Sequence, residues 1–154
     1  MHLYLVQHGE TKSEKEDPSR PLSEKGRRDV RKNASFVSSN MGTSVESIFH
    51  SGKLRAAQTA EIIAEYLKPG KGVSERDGLT PMDDPAMWTK RLEPGTDLML
   101  VGHLPHLARL ASLLICGTAK AGVVNFHMGG IVSLKKENDE WSVDWIIIPE
   151  MING

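Results

Sequence analysis

The chain has 154 residues, 39% of them hydrophobic and 25% charged, the composition of a soluble globular protein with one substantial core. Its net charge of −1 offers no global attraction for nucleic acid or an anionic membrane, and its single cysteine, Cys116, excludes an intrachain disulfide and a cysteine-based metal cluster. No run reaches membrane-spanning length, and the first residues carry no basic segment followed by a signal-length apolar core. A single cytoplasmic domain over residues 1–154 is expected, with neither nucleic acid nor membrane as partner.

The first element is Leu3-Tyr4-Leu5-Val6, an apolar run without alternation that suits a strand buried on both faces of a parallel sheet. It breaks into Gln7-His8-Gly9, where glycine lets the chain turn and a ligand approach. A charged loop follows through Pro18. Ser23 is placed to cap a helix whose buried face is Val30, Ala34, Val37 and Met41, and Gly42 is placed to end it. Ser47–His50 reads as a second, short strand. Ala56, Ala60, Ile63, Ala64 and Leu67 then form a helical stripe that Lys68-Pro69-Gly70 stops, which puts Arg55 near a helix N-terminus, where an anion is favoured.

The segment through Val73 and Leu79 is weakly patterned and reads as a short edge strand. Asp84-Pro85 predicts an N-cap and first helical residue for a short helix with Trp88 and Leu92, Trp88 being read as core. Asp97–Val101 is the clearest central strand and ends in Gly102-His103. Pro105 starts a helix with Leu107, Leu110, Ala111, Leu114 and Ile115 on one face, closed by Gly117. Ile131–Leu134 and Trp141–Ile148, joined by a turn over 136–140, predict an antiparallel hairpin. Strands alternating with helices, then a hairpin, predict a three-layer α/β sandwich: a mixed, mostly parallel sheet with helices on both faces.

Ligands of open α/β sheets bind beyond the carboxyl ends of the strands. Three strands end there in polar residues: Gln7 and His8, the turn leading to Arg55, and Gly102 and His103. Each alone has a bland reading as a solvated histidine or a surface charge. Together they suit phosphoryl transfer, in which a neutral imidazole attacks phosphorus while arginine and a second histidine neutralise the equatorial oxygens. Neither role needs a metal or other cofactor, and no third His or Cys ligand falls at a comparable strand end, so no metal site is expected.

Gln7-His8-Gly9-Glu10 resembles the Arg-His-Gly signature of the histidine phosphatase superfamily, with glutamine replacing arginine. Arg20-Pro21-Leu22-Ser23-Glu24-Lys25-Gly26 is similar to the family's Arg-Pro-Leu-Ser/Thr-x-x-Gly segment, Ser51–Thr59 to its Ser-x-x-x-Arg-Ala-x-Gln-Thr block, and Gly102-His103-Leu104-Pro105 to the block of the second histidine. The short length and the Arg-Pro-Leu-Ser segment resemble the SixA-like phosphohistidine phosphatases most. This resemblance implies a phosphoglycerate mutase-like fold, His8 as nucleophile, and Arg55 and His103 holding the phosphoryl group with Gln7, Gly9 and Arg20. It implies a phosphatase acting on phosphohistidine in a partner protein. A phosphomonoesterase for a small metabolite and a weakened phosphoprotein-binding domain are the alternatives.

Two departures from the family pattern matter. Gln7 removes a permanent charge and a bidentate donor, a loss for which Arg20, Lys12 or Lys53 could compensate, and Gln7→Arg is expected to raise kcat/KM at least about tenfold. The acid that larger relatives use on an alkoxide leaving group is missing near Leu79-Thr80-Pro81. Asp77, Asp83 and Asp84 stand close by but suit surface or capping roles, and the absence leans towards phosphorus–nitrogen substrates.

Overall fold

Strand parity divides the side chains of the sheet between two cores. The computed structural model, which describes residues 1–153, holds one six-stranded sheet in the order β3-β2-β4-β1-β5-β6. The strands are β1 (His2–Gln7), β2 (Ser47–His50), β3 (Val73–Glu75), β4 (Leu98–Gly102), β5 (Ile131–Glu137) and β6 (Glu140–Ile147). β1, β4, β2 and β3 are mutually parallel, whereas β5 runs antiparallel to β1 and β6 antiparallel to β5.

Tyr4, Val6, Ile48, Met99, Val101 and Ile131 point to one face, where α1 (Glu24–Asn40) and α2 (Leu54–Leu67) cover them with Val30, Ala34, Val37, Ala56, Ala60 and Ile63. Their alternates Leu3, Leu5, Leu98, Leu100, Val132 and Leu134 meet α3 (Ala86–Thr89) and α4 (His106–Cys116) through Trp88, Leu107, Leu110 and Ala111. The predicted three-layer sandwich with its C-terminal hairpin is present. Among the described residues, no helix is long and apolar enough to cross a membrane.

Local signals set the ends of the helices. Ser23 caps α1 by accepting the Gly26 N–H at 3.0 Å. The helix ends at Asn40, with Met41 as its C-cap, still packed against the core beneath α1, and Gly42 at φ +60° just beyond. Lys68 ends α2 in the left-handed conformation, and Gly117 does the same for α4. α3 and α4 each begin one residue later than predicted, because Pro85 and Pro105 occupy the cap position. Asp84 still accepts the Ala86 N–H at 2.9 Å. The hairpin turn is tighter than predicted: Asn138 and Asp139, at φ +52° and +61°, make a two-residue turn, and pairing extends to Glu137 opposite Glu140.

Candidate active site

β1 and β4 lie side by side with Gln7 opposite Gly102, so the residues that follow them, His8 and His103, leave the sheet together. The His8 N–H donates to the Gly102 carbonyl at 3.1 Å and extends the ladder by one residue. The two imidazoles stand 5.2 Å apart between centroids, tilted by 50°. β2 ends beside β4, and Ser51-Gly52-Lys53 turns the chain into α2, whose second residue is Arg55. One turn further along, the buried Thr59 hydroxyl accepts the Gly9 N–H at 3.0 Å and donates to the Arg55 carbonyl at 2.8 Å. Thr59 thereby ties the loop after β1 to the first turn of α2.

The Nδ1 of His8 lies 2.7 Å from the Gly9 carbonyl, which can only accept, so Nδ1 carries the proton. Burial is the first cause lowering the His8 pKa, and the charges of Arg55 and Arg20 push it further down against the opposing hydrogen bond to Gly9. A neutral ring protonated at Nδ1 keeps its lone pair on Nε2.

His103 is only 2% exposed, and its pKa is pushed down to about 3, first by burial and then by His8, Arg55, Lys53 and His106. Its Nε2 meets the Ser51 hydroxyl at 2.7 Å, while its Nδ1 is buried without a partner. The Arg55 Nε–H is likewise buried and unpaired. Burial and the charge of Arg20 lower the pKa of Arg55, which nevertheless stays a cation as every protein guanidinium does. An unmet buried donor costs roughly 1–3 kcal/mol. The unpaired Arg55 N–H and the unpaired His103 ring nitrogen flank a neutral imidazole.

Of the sequence-predicted residues, His8, Gly9, Arg20, Arg55 and His103 converge. Arg20 is held at φ +48°, a conformation that costs a side-chain-bearing residue roughly 1–2 kcal/mol, and its Nη2 donates to Thr11 Oγ1 at 3.0 Å. Its charge falls on both His8 and Arg55. Lys53 lies near enough to act on His103, whereas Lys12 acts on Asp17. Gln7 follows the parity of Leu3 and Leu5. It lines a concavity of about 390 Å³ beside the site with Leu104, Phe126, His127 and Met128. The larger groove, about 590 Å³ between Phe49, Arg76, Trp88 and Arg91, contains none of the converging residues.

The three acidic residues considered near Leu79 are engaged elsewhere. Asp77 pairs with Arg91 at 2.9 Å, Asp83 accepts from the Thr80 hydroxyl at 2.6 Å, and Asp84 accepts the Ala86 N–H at the start of α3. Ser51 and Thr59 belong to the site without having been singled out. Their signal was their place within the Ser51–Thr59 block, where a small hydroxyl residue flanks the arginine on either side. Among the described residues, no group of three or more His, Cys, Asp or Glu side chains is placed to hold a metal ion.

Comparison with known proteins shows the family and the fold. The family model described as the histidine phosphatase superfamily (branch 1) matches residues 3–91, more than half of the chain. An uncharacterized protein of the cyanobacterium Picosynechococcus is 34% identical, over 84% of this chain and 86% of its own. The solved structure of the protein histidine phosphatase SixA complexed with tungstate superposes with a TM-score of 0.85 at 23% identity, covering 98% of this chain and 99% of that one. A mycobacterial glucosyl-3-phosphoglycerate phosphatase in complex with VO3 superposes at 0.74 with 17% identity, covering 94% and 97%. The two structures share the fold; the match of the family model, over the stretch holding Gln7-His8-Gly9 and the Ser51–Thr59 block, makes this chain a member of the histidine phosphatase superfamily, branch 1.

Proposed function

We propose that the protein is a metal-independent phosphatase that works through a phosphohistidine on His8 and removes phosphate from phosphohistidine in a partner protein. The observation carrying this reading is the pair of unpaired buried nitrogens, Arg55 Nε and His103 Nδ1, beside a neutral His8 whose pKa burial and the Arg55 charge lower. The Nε2 lone pair of His8 attacks phosphorus, forming a P–N bond as the bond to the leaving group breaks. Arg55, Arg20 and His103 meet the equatorial oxygens, whose charge is greatest in the transition state. Water then attacks the phosphohistidine, releasing phosphate and returning neutral His8.

The state of the acidic residues supports a nitrogen leaving group. Asp77 pairs with Arg91, Asp83 accepts from the Thr80 N–H and hydroxyl, and Asp84 accepts the Ala86 N–H, so each is engaged away from His8. A phosphohistidine ring protonated on its other nitrogen leaves as neutral imidazole, a far better leaving group than an alkoxide, so the need for an enzymatic acid is weaker. SixA, which shares the fold, is a protein histidine phosphatase by name. A second reading, a phosphomonoesterase for a small metabolite, is supported by the concavity of about 390 Å³ beside Gln7, which has room for a small leaving group.

Purified protein, without added metal, is to be assayed on a phosphohistidine-bearing protein and on small phosphomonoesters, with a radiolabelled substrate to trap the phosphoenzyme. Turnover of the phosphohistidine protein, with label on the wild type and none on His8→Ala, is expected. Turnover of esters alone moves the assignment to the second reading. Tight phosphoprotein binding without turnover makes the chain a binding domain, and full activity in His8→Ala removes the nucleophile.

A further inference from the structure

Ser51 Oγ has two recorded partners, the backbone N–H of Lys53 at 3.3 Å and His103 Nε2 at 2.7 Å. The first is a donor, so it occupies an acceptor site on the hydroxyl. The single hydroxyl proton then has one acceptor within reach, the His103 ring nitrogen. Had Nε2 carried the imidazole proton, the hydroxyl proton would have no acceptor within the protein. The arrangement that pairs the hydroxyl proton with Nε2 runs from Ser51 O–H to an unprotonated ring nitrogen. His103 is a neutral ring, because burial and the surrounding cations hold its pKa at about 3, so its one N–H is on Nδ1. That atom is the buried one without a partner.

We propose that Ser51 is a positioning residue: its hydroxyl fixes the tautomer of His103 that presents an Nδ1–H donor to a phosphoryl oxygen. The inference rests on reading the pocket as a phosphoryl site, but its first measurement needs no turnover. A neutral imidazole free in water favours the proton on Nε2, so a hydroxyl donor at Nε2 works against the ring's own preference. A geometric consequence follows for the phosphoryl group. It meets a neutral donor at His103 and cationic ones at Arg55 and Arg20, so protonation of His103 is not required for binding at neutral pH.

The test is long-range proton–nitrogen NMR on the full chain with labelled histidine at pH 7, with the His103 ring identified by its loss in His103→Gln. Expected are an Nδ1–H ring in the wild type, its Nδ1 signal shifting on addition of vanadate, and the same tautomer in Ser51→Thr. In Ser51→Ala the ring is expected to change, wholly or in large part, to Nε2–H. Turnover is expected to fall about tenfold or more in Ser51→Ala, with a smaller change in KM, and to recover in Ser51→Thr. An Nε2–H ring in the wild type, or an unchanged tautomer in a folded Ser51→Ala, overturns the inference even if the protein proves an active phosphatase. A serine-dependent Nδ1–H ring that responds to vanadate, in a protein without phosphatase turnover, supports it and sinks the catalytic reading alone.

Discussion

Gly26→Ala tests the contact that holds the loop after His8 against α1. A methyl on Gly26 would lie 2.1 Å from the Glu10 carbonyl oxygen and 3.0 Å from both Glu10 C and Glu10 N. That oxygen already accepts the Ser23 N–H at 2.9 Å, so it is fixed from the same side. Gly9 is close on its own account: a Cβ there would stand 2.8 Å from Val30 Cγ2 and 3.2 Å from the Gly26 carbonyl oxygen. Backbone thus packs on backbone between the loop and the first turn of α1. Alanine in place of helical glycine gains about 1 kcal/mol in propensity. Overpacking costs typically 1–3 kcal/mol, and its upper end applies where the obstacle is main chain rather than the end of a flexible side chain. Losing the Ser23–Glu10 hydrogen bond adds about 1 kcal/mol. The net expectation is a loss of roughly 2–3 kcal/mol, or about 4–12 °C in Tm for a chain of this size. Calorimetry measures it, and vanadate binding should weaken as well, because Glu10 is two residues from His8. A Tm equal to or above that of the wild type would refute the reasoning, since propensity would then have won and the close approach would be no constraint.

Thr59→Val keeps the shape of a buried side chain but strips the Gly9 N–H of its acceptor; a loss of about 1–3 kcal/mol, read as a lower urea midpoint with unchanged m, is expected. Gln7→Arg was expected from the sequence to raise kcat/KM at least about tenfold. With Gln7 on the side of Phe126 and Met128 and the charges of Arg20 and Arg55 already acting on His8, the structure instead predicts a change within about threefold, and a tenfold gain in steady-state assays would show that the guanidinium reaches the phosphate. His8, His50, His103 and His106 all have lowered pKa values, with burial the first cause in each. Below pH 6.5 the unfolded chain binds protons that the folded one refuses, so stability falls with pH. His103 contributes roughly 1 kcal/mol per pH unit as the pH falls towards its folded value of about 3. Urea midpoints that stay flat between pH 7 and 5 would contradict this.

The fold was legible wherever burial imposed a period. β2 matched its predicted bounds, and β1, β4 and both long helices came within a few residues, because apolar runs and caps mark them locally. The hairpin was read short for the opposite reason. Lys136, Glu137 and Glu140 look like turn residues, yet β6 is an edge strand and β5 leaves the core at its end, so polar residues there simply face water. Leu79 and Phe126 are buried from loops, and no periodicity announces a loop residue that fills a core. His106 was passed over inside the α4 pattern although it is fully buried with both ring nitrogens unpaired.

At the site, residue types were legible and their states were not. A histidine in the sequence carries no record of which nitrogen holds the proton. That depends on the Gly9 carbonyl beside His8 and on the Ser51 hydroxyl beside His103, one of them from the same strand end and the other 52 positions away. Likewise the absence of arginine at position 7 reads in one dimension as a charge lost. In three dimensions the loop from Thr11 to Leu22 folds back as a bridge, and Arg20, in a left-handed turn and tethered to Thr11, brings a cation to His8 from outside the sheet. The strained conformation at Arg20 is therefore intelligible as the cost of aiming a guanidinium that no strand end supplies. Glu10, the residue just before that loop, passes over Gly26, so the Arg20-Pro21-Leu22-Ser23-Glu24-Lys25-Gly26 segment holds both the arginine and the glycine that admits the chain leading into the loop.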